Sequence, residues 1–283
     1  MQKILRLIVG LFILFTFTAF VAKINEPTFA VCGNVKDFPK ISGVGYNYVE
    51  SNVGYLMPNK SDAEFQAHLD EIKRTKAKII SCTSFIPGAL KIVGHETKHE
   101  EALVWAETVF RRAQMIKIPY IVFGSGGARK VPDGFDKQKA TQQFIDFCKK
   151  LAPLAKKYKV TVVIEPLNTS ETNLINSLEE GVKIVEAVNH PNIQLLCDIY
   201  HMMRDNEPAS EIVKYGRYIK HCHIAEKDGR TSPGVNREDF KPYFRALKQI
   251  KYKGCLSIEC SWGNFDKELQ PALIYMKQQF SSL

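Results

Sequence analysis

The 283-residue chain suits one large α/β domain or two small ones, and at 45% hydrophobic and 24% charged it has the composition of a soluble globular protein with a sizeable core. Its net charge of +9 sits largely on helices beside Glu and Asp, as in "DEIKRTK" and "ETVFRRAQ", and no dense basic tract carries interleaved aromatics. Nucleic acid is therefore not an expected partner, while attraction to anionic substrates stays open.

The first segment reads "MQKILRLIVGLFILFTFTAFVAK". Lys3 and Arg6 precede an apolar run from Leu7 to Ala22, the pattern of a secretory signal peptide over residues 1–25. No clean A-x-A cleavage site follows, so an uncleaved membrane anchor is the alternative, and membrane association is expected only in that case. A lipoprotein is disfavoured, because Val31 rather than a small residue precedes Cys32. No later segment is long enough to span a bilayer. Residues 26–283 then form one exported domain, periplasmic or otherwise extracytoplasmic. The seven cysteines are odd in number and lack a C-x-x-C pair. Cys32, Cys82, Cys197, Cys222, Cys255 and Cys260 fall in predicted strands and Cys148 on a helix face, so they read as buried thiols rather than a disulfide framework.

From about Thr28 onward, short apolar strands alternate with amphipathic helices. The predicted strands are Phe29–Cys32, Tyr46–Glu50, Lys78–Cys82, Tyr120–Phe123, Val160–Glu165, Ile193–Asp198, Tyr218–Ile224 and Cys255–Cys260. Between the first two lies only "NVKDFPKISGVG", so the first helix is expected to be stunted. Phe65, Leu69 and Ile72 line one helix. In "TQQFIDFCKKLAPLAKKY", Phe144, Phe147, Cys148, Leu151, Leu154, Ala155 and Tyr158 recur at i, i+3, i+4 spacing and make one buried stripe. "SLEEGVKIVEAV" opens with a predicted capping box, Ser177 and Glu180. Strands apolar on both faces imply a parallel sheet covered by helices. Eight such units predict an α/β fold, a single (β/α)8 TIM barrel. A doubly wound open sheet is the runner-up, but "VCGNVKD" after the first strand lacks its Gly-rich phosphate turn.

Barrels of this kind collect function at the C-terminal ends of their strands. Glu165, Asp198, His223 and Glu259 occupy those ends on predicted strands five to eight. Any one of them alone reads as a polar group facing water. Three carboxylates and an imidazole on one rim repel and desolvate one another unless a cation lies between them. The expectation is one divalent metal ion, Mn²⁺, Mg²⁺ or Co²⁺ from the oxygen-rich donor set, with Zn²⁺ an alternative.

His221 shares a strand face with His223 by the two-residue alternation and is expected deeper in the barrel. His201, three residues past Asp198, is placed to reach substrate rather than metal. Arg230, in "EKDGRTSPG", is flanked by turn residues that can aim it back at the rim; Glu171 lies in the loop that opens with Pro166. Either alone reads as a solvated loop residue. "FGSGGARK" reads as a tight turn rather than a phosphate cradle, since the Walker spacing is missing. Glu50 is expected as an outer-rim contact, and Trp262 as a packing residue or a platform for a sugar face. No G-x-S-x-G or H-E-x-x-H occurs, and no cysteine has an activating partner.

Taken in order, "IEPLNTSE", "CDIYHM", "HCHIAEKDGR…PG" and "SIEC" resemble the E-x-x-N-x-x-E, D-x-x-H-M, H-x-H…R and final metal-Glu segments of the xylose isomerase-like TIM-barrel superfamily. The resemblance is to its sugar isomerase and epimerase branch, of the D-tagatose 3-epimerase and hydroxypyruvate isomerase type. It covers most of the mature chain and is densest from Val160 to Trp262. It implies that Glu165, Asp198, His223 and Glu259 bind the metal, that Glu165 and Glu259 also form the acid/base pair, and that Glu171, His201 and Arg230 hold substrate oxygens. It implies a small carbohydrate substrate and is compatible with a homo-oligomer.

The implied chemistry is proton transfer beside a carbonyl through an enediolate, giving epimerisation or aldose–ketose isomerisation. The same machinery gives elimination, as in a lyase or hydratase, when a keto-sugar or glycoside carries a leaving group β to the carbanion. Two departures touch substrate contacts. Thr169 follows Asn168 where family members often carry Arg, and the spacing from His223 to Arg230 is one residue longer. An apurinic endonuclease-type nuclease, which needs extra histidines after strands three and four, is disfavoured by "SCTSF" and "VFGSG" at those ends. A non-catalytic sugar-binding protein is the other alternative.

Overall fold

The computed structural model describes residues 27–283. The predicted signal peptide or anchor over 1–25 lies outside the described residues. No helix among the described residues is long and apolar enough to cross a membrane.

Eight parallel strands close into one barrel in sequence order: β1 (Thr28–Cys32), β2 (Tyr48–Asn52), β3 (Ile79–Thr83), β4 (Tyr120–Phe123), β5 (Thr161–Ile164), β6 (Ile193–Asp198), β7 (Ile219–Ile224) and β8 (Cys255–Ile258), with β8 pairing back onto β1. The open-sheet alternative is excluded by that closure. Three predicted strands shift in ways that matter. β2 starts two residues later than expected and runs on to Asn52, because Tyr46 turns its hydroxyl to the Leu269 carbonyl at 2.9 Å and Asn47 bonds the backbone of Phe29 instead of extending the strand. β5 and β8 end one and two residues early, at Ile164 and Ile258, leaving Cys260 outside a strand. The Glu165 and Glu259 amides still donate to the neighbouring strands' Phe123 and Ile224 carbonyls.

The helices follow as α1 (Phe38–Gly43), α2 (Asp62–Thr75), α3 (His99–Met115), α4 (Gly126–Arg129), α5 (Lys137–Lys157), α6 (Leu178–Val188), α7 (Ile199–Arg204), α8 (Ser210–Tyr215), α9 (Lys241–Gln249) and α10 (Phe265–Ser281). α1 is as short as the sequence requires. The α5 stripe is buried at Phe144, Phe147, Cys148, Leu151 and Ala155, with Leu154 and Tyr158 packed at its edge. A full capping box forms at α2, between Ser61 and Glu64. At α6 only half of the expected box forms. Ser177 accepts the Glu180 amide, but the Glu180 carboxylate takes the Asn176 N–H at 2.8 Å instead of the Ser177 N–H. The seven cysteines are free thiols, all buried except the half-buried Cys32 and Cys260.

The two-residue alternation divides each strand between two compartments. Phe29, Val31, Val49, Ile121, Phe123, Val162, Ile164, Leu195, Cys197, Cys222, Ile224, Leu256 and Ile258 face the surrounding helices in one continuous core. Val122, Val163 and Leu196 form a separate small cluster with Tyr120 inside the barrel. Two residues further along β5 and β6 from Val163 and Leu196, the same inward face carries Glu165 and Asp198. The rule that builds the barrel plug therefore also aims the carboxylates at its mouth.

Glu207, past α7, accepts the Leu178 N–H at 2.8 Å and so caps α6 from outside. Burial pushes its carboxyl up to about 7. A carboxyl raised on folding stabilises fully below its unfolded value and loses that contribution as pH rises through the folded one. Glu207→Gln keeps the acceptor and removes the charge. Allowing for partial exposure, it should gain about 1–2 kcal/mol at pH 8 and much less at pH 5. Scanning calorimetry should read this as a melting temperature about 2–5 °C higher at pH 8. A lower one would contradict the assignment.

Candidate active site

The side chains of Glu165, Asp198, His223 and Glu259, from the ends of β5, β6, β7 and β8, offer ligand atoms that all lie within 4.8 Å of one another. His223 Nδ1 is 2.9 Å from Glu165, 3.4 Å from Glu259 and 4.0 Å from Asp198. Asp198 spends one carboxylate oxygen on the Tyr200 N–H at 2.8 Å, which caps α7. Its other oxygen is buried and has no hydrogen-bond partner among the described residues. His201 Nε2 at 3.4 Å and the Arg230 guanidinium at 3.8 Å face it without hydrogen-bonding it, and a buried carboxylate oxygen in that position is costly unless a cation meets it directly. That orphan, at the centre of an oxygen-rich set with one imidazole nitrogen, fits a hard divalent ion.

The charges are unequally supported. Burial pushes the Glu165 carboxyl above the usual range, against the pull of His223. Burial also works against the Glu259 charge, but His223 and Arg230 hold that carboxyl below the usual range. Burial opposes the His223 charge, yet Glu50 and Glu259 raise the ring well above its ordinary value.

The three expected substrate residues converge on the same mouth. Arg230 forms an ion pair with Glu259, and its guanidinium lies 3.7 Å from Glu171 and 3.8 Å from Asp198. It stacks over the Tyr200 ring at 4.5 Å. The backbone of Arg230 is left-handed, at φ +50, and its loop is wound around Glu226. That buried carboxylate accepts from Thr231 Oγ1 and from the Gly234, Asn236 and Glu238 amides. His201 Nδ1 accepts from the Asn168 backbone and side-chain amides at 3.2 and 2.9 Å. Its other nitrogen, Nε2, therefore carries the proton and faces the orphaned Asp198 oxygen at 3.4 Å. Asn168 also donates to Glu171 at 2.9 Å. These groups line a cavity of about 370 Å³ together with Gly124, Ser125 and Gly126. In "FGSGGARK" Gly124 and Ser125 make the tight turn from β4 into the short α4, and its small residues line the cavity.

Three other residues need correction or addition. Glu50 is not a rim contact: it is fully buried inside the barrel, 3.0 Å from both His221 and His223. Trp262 packs edge-on against Phe265 at 5.2 Å, so of its two readings the packing one holds. Arg129 was not anticipated at all. It is fully buried, donates to the Glu165 carbonyl at 2.7 Å, and is lowered to about 10 by burial. Only its position right after the Gly-rich turn could have flagged it.

Comparison with known proteins agrees with this fold. A family model described as "xylose isomerase-like TIM barrel" matches residues 38–279. The chain belongs to the xylose isomerase-like TIM-barrel family. Among curated members, an L-ribulose 3-epimerase from Methylomonas sp. (strain DH-1) is 31% identical over 151 residues, covering 46% of this chain and 52% of that one. The hydroxypyruvate isomerase of Escherichia coli (strain K12) is 23% identical over 133 residues, again 46% and 52%. The chain thus spans about half the length of these two relatives. Among solved structures, a D-psicose 3-epimerase with D-tagatose from Clostridium cellulolyticum H10 superposes with a TM-score of 0.78 at 18% identity, over 89% of this chain and 99% of that one. At that identity the likeness speaks for the fold.

Proposed function

We propose that this family member is a divalent-metal-dependent sugar epimerase or isomerase that moves a proton on the carbon beside a carbonyl. The observation that carries the reading is the convergence of two glutamates, Glu165 and Glu259, with Asp198 and His223 at the barrel mouth. The ketose 3-epimerase and isomerase activities of relatives support it. Glu165, Asp198, His223 and Glu259 would hold the ion, which when bound supplies Lewis-acid stabilisation of the negative charge that develops on the sugar oxygens. Glu165 and Glu259 come from strands three apart in the barrel and both line the cavity. One carboxylate takes the proton and the other returns it to the opposite face, which is epimerisation; return to the neighbouring carbon is isomerisation. Arg230, His201 and Glu171 hold hydroxyl and carbonyl oxygens and fix which carbon faces the bases. The substrate is a small ketose or keto-glycoside. We further propose residues 26–283 as the catalytic domain and an exported location, from the Lys3, Arg6 and Leu7–Ala22 pattern.

The test is solvent exchange. Ketoses and keto-glycosides incubated in D₂O with Mn²⁺ should gain deuterium beside the carbonyl, and chelation should stop it. No exchange across the panel would contradict the reading. A second test uses the glycine beside Glu165. A Cβ built at Gly124 lies 2.3 Å from one oxygen of the Glu165 carboxylate, whose other oxygen contacts His223, so Gly124→Ala must shift that group. The exchange rate should fall about 10²-fold, the scale of an ångström's misplacement. An unchanged rate would remove Glu165 from the reaction.

A further inference from the structure

Inside the barrel, beneath the proposed metal site, lies a polar group that the proton-transfer reading does not use. Glu50 on β2 presents one carboxylate oxygen to His223 Nε2 and the other to His221 Nε2, each at 3.0 Å. Ser81 on β3 stands 3.2 Å from that same His221 nitrogen. All four residues are fully buried. Barrel interiors of this depth are usually filled with branched aliphatic side chains, and a buried carboxylate is costly unless it is fully hydrogen-bonded.

We propose that Glu50 is a positioning residue that dictates which nitrogen of His223 faces the ion; this rests on the metal reading above. An imidazole can ligate only through a nitrogen that carries no proton. An ionised carboxylate only accepts. With the ion bound, Glu50 therefore keeps the proton on His223 Nε2, and Nδ1, which faces Glu165, Glu259 and Asp198, is the nitrogen free to ligate. His221 holds the second oxygen of Glu50, so both carboxylate oxygens are engaged and the group is fixed in place. Such outer carboxylates orient a ligating ring and raise its basicity. Cys32 also lies near Glu50 and His223. A second ion there would have to break the Glu50–His223 bond, and the Cys32 thiol is already engaged with Ser257 at 3.5 Å.

The test is Mn²⁺ titration calorimetry of the metal-stripped chain, wild type beside Glu50→Gln. Glutamine has the same shape and can still accept from one histidine and face the other. The variant should bind Mn²⁺ about 10–100-fold more weakly, with one ion per chain in the wild type. Equal affinity, within twofold, would overturn this inference and leave the metal reading standing. A wild type that binds no ion overturns both, and two ions per chain overturn the role given to Glu50. Should the variant fail to fold, the wild type loaded with diamagnetic Mg²⁺ decides. A ¹H–¹⁵N histidine spectrum should show a slowly exchanging proton on His223 Nε2. A proton on Nδ1 would overturn the proposal.

Discussion

Glu165→Gln and Glu259→Gln should each lower the rate of deuterium incorporation by about 10²–10⁴-fold, the usual worth of a positioned base, while the barrel stays folded. Both changes are isosteric. Glu165 leans on His223 at 2.9 Å and Glu259 pairs with Arg230; an amide oxygen can keep either place while losing the ability to take a proton. Glu165 is the more buried of the two, and its carbonyl is held by the buried Arg129. Its variant should therefore melt close to wild type. Activity within tenfold of wild type in either variant would remove that residue from the acid/base pair. If Glu259→Gln alone remained active, the reaction would be a one-base isomerisation rather than a two-base epimerisation.

Asp198→Asn should abolish tight ion binding without disturbing the fold. One Asp198 oxygen caps α7 through the Tyr200 N–H, a role asparagine retains. The other is buried, unpartnered and faces the ligand cluster, and there the substitution removes a full charge. We expect Mn²⁺ affinity to fall by about 10²-fold or more, judged from the strength of charge-assisted ligation. At a concentration 100 times its dissociation constant, an ion stabilises the wild type by about 2.7 kcal/mol, or roughly 5–10 °C in melting temperature for a domain of this size. That shift should vanish in the variant. Scanning calorimetry with and without Mn²⁺ measures it directly, and an undiminished shift in Asp198→Asn would place the ion elsewhere.

Much of this site could be read from residue order, for a definite physical reason. In a parallel barrel the strand ends meet, so apolar runs ending in Glu165, Asp198, His223 and Glu259 are brought together by topology alone. The residues that escaped notice depend on register and distance. Glu50 looks like a rim group when β2 is taken to end there. The strand runs on to Asn52, and those two residues turn a rim position into an interior one. Its partner His221 lies 171 residues away along the chain, a pairing no local pattern encodes. Arg230 was legible as a loop cation that its turn residues can aim at the rim, but not the Glu226 carboxylate that gathers the amides of that loop around it. The α6 cap was half wrong because Glu180 had two amides within reach and took that of Asn176.

Anomalous diffraction from crystals soaked in Mn²⁺ tests the central claim most directly. The account predicts one strong peak per chain, bounded by the side chains of Glu165, Asp198, His223 and Glu259. Density confined to other places at saturating Mn²⁺, or none at all, would contradict it.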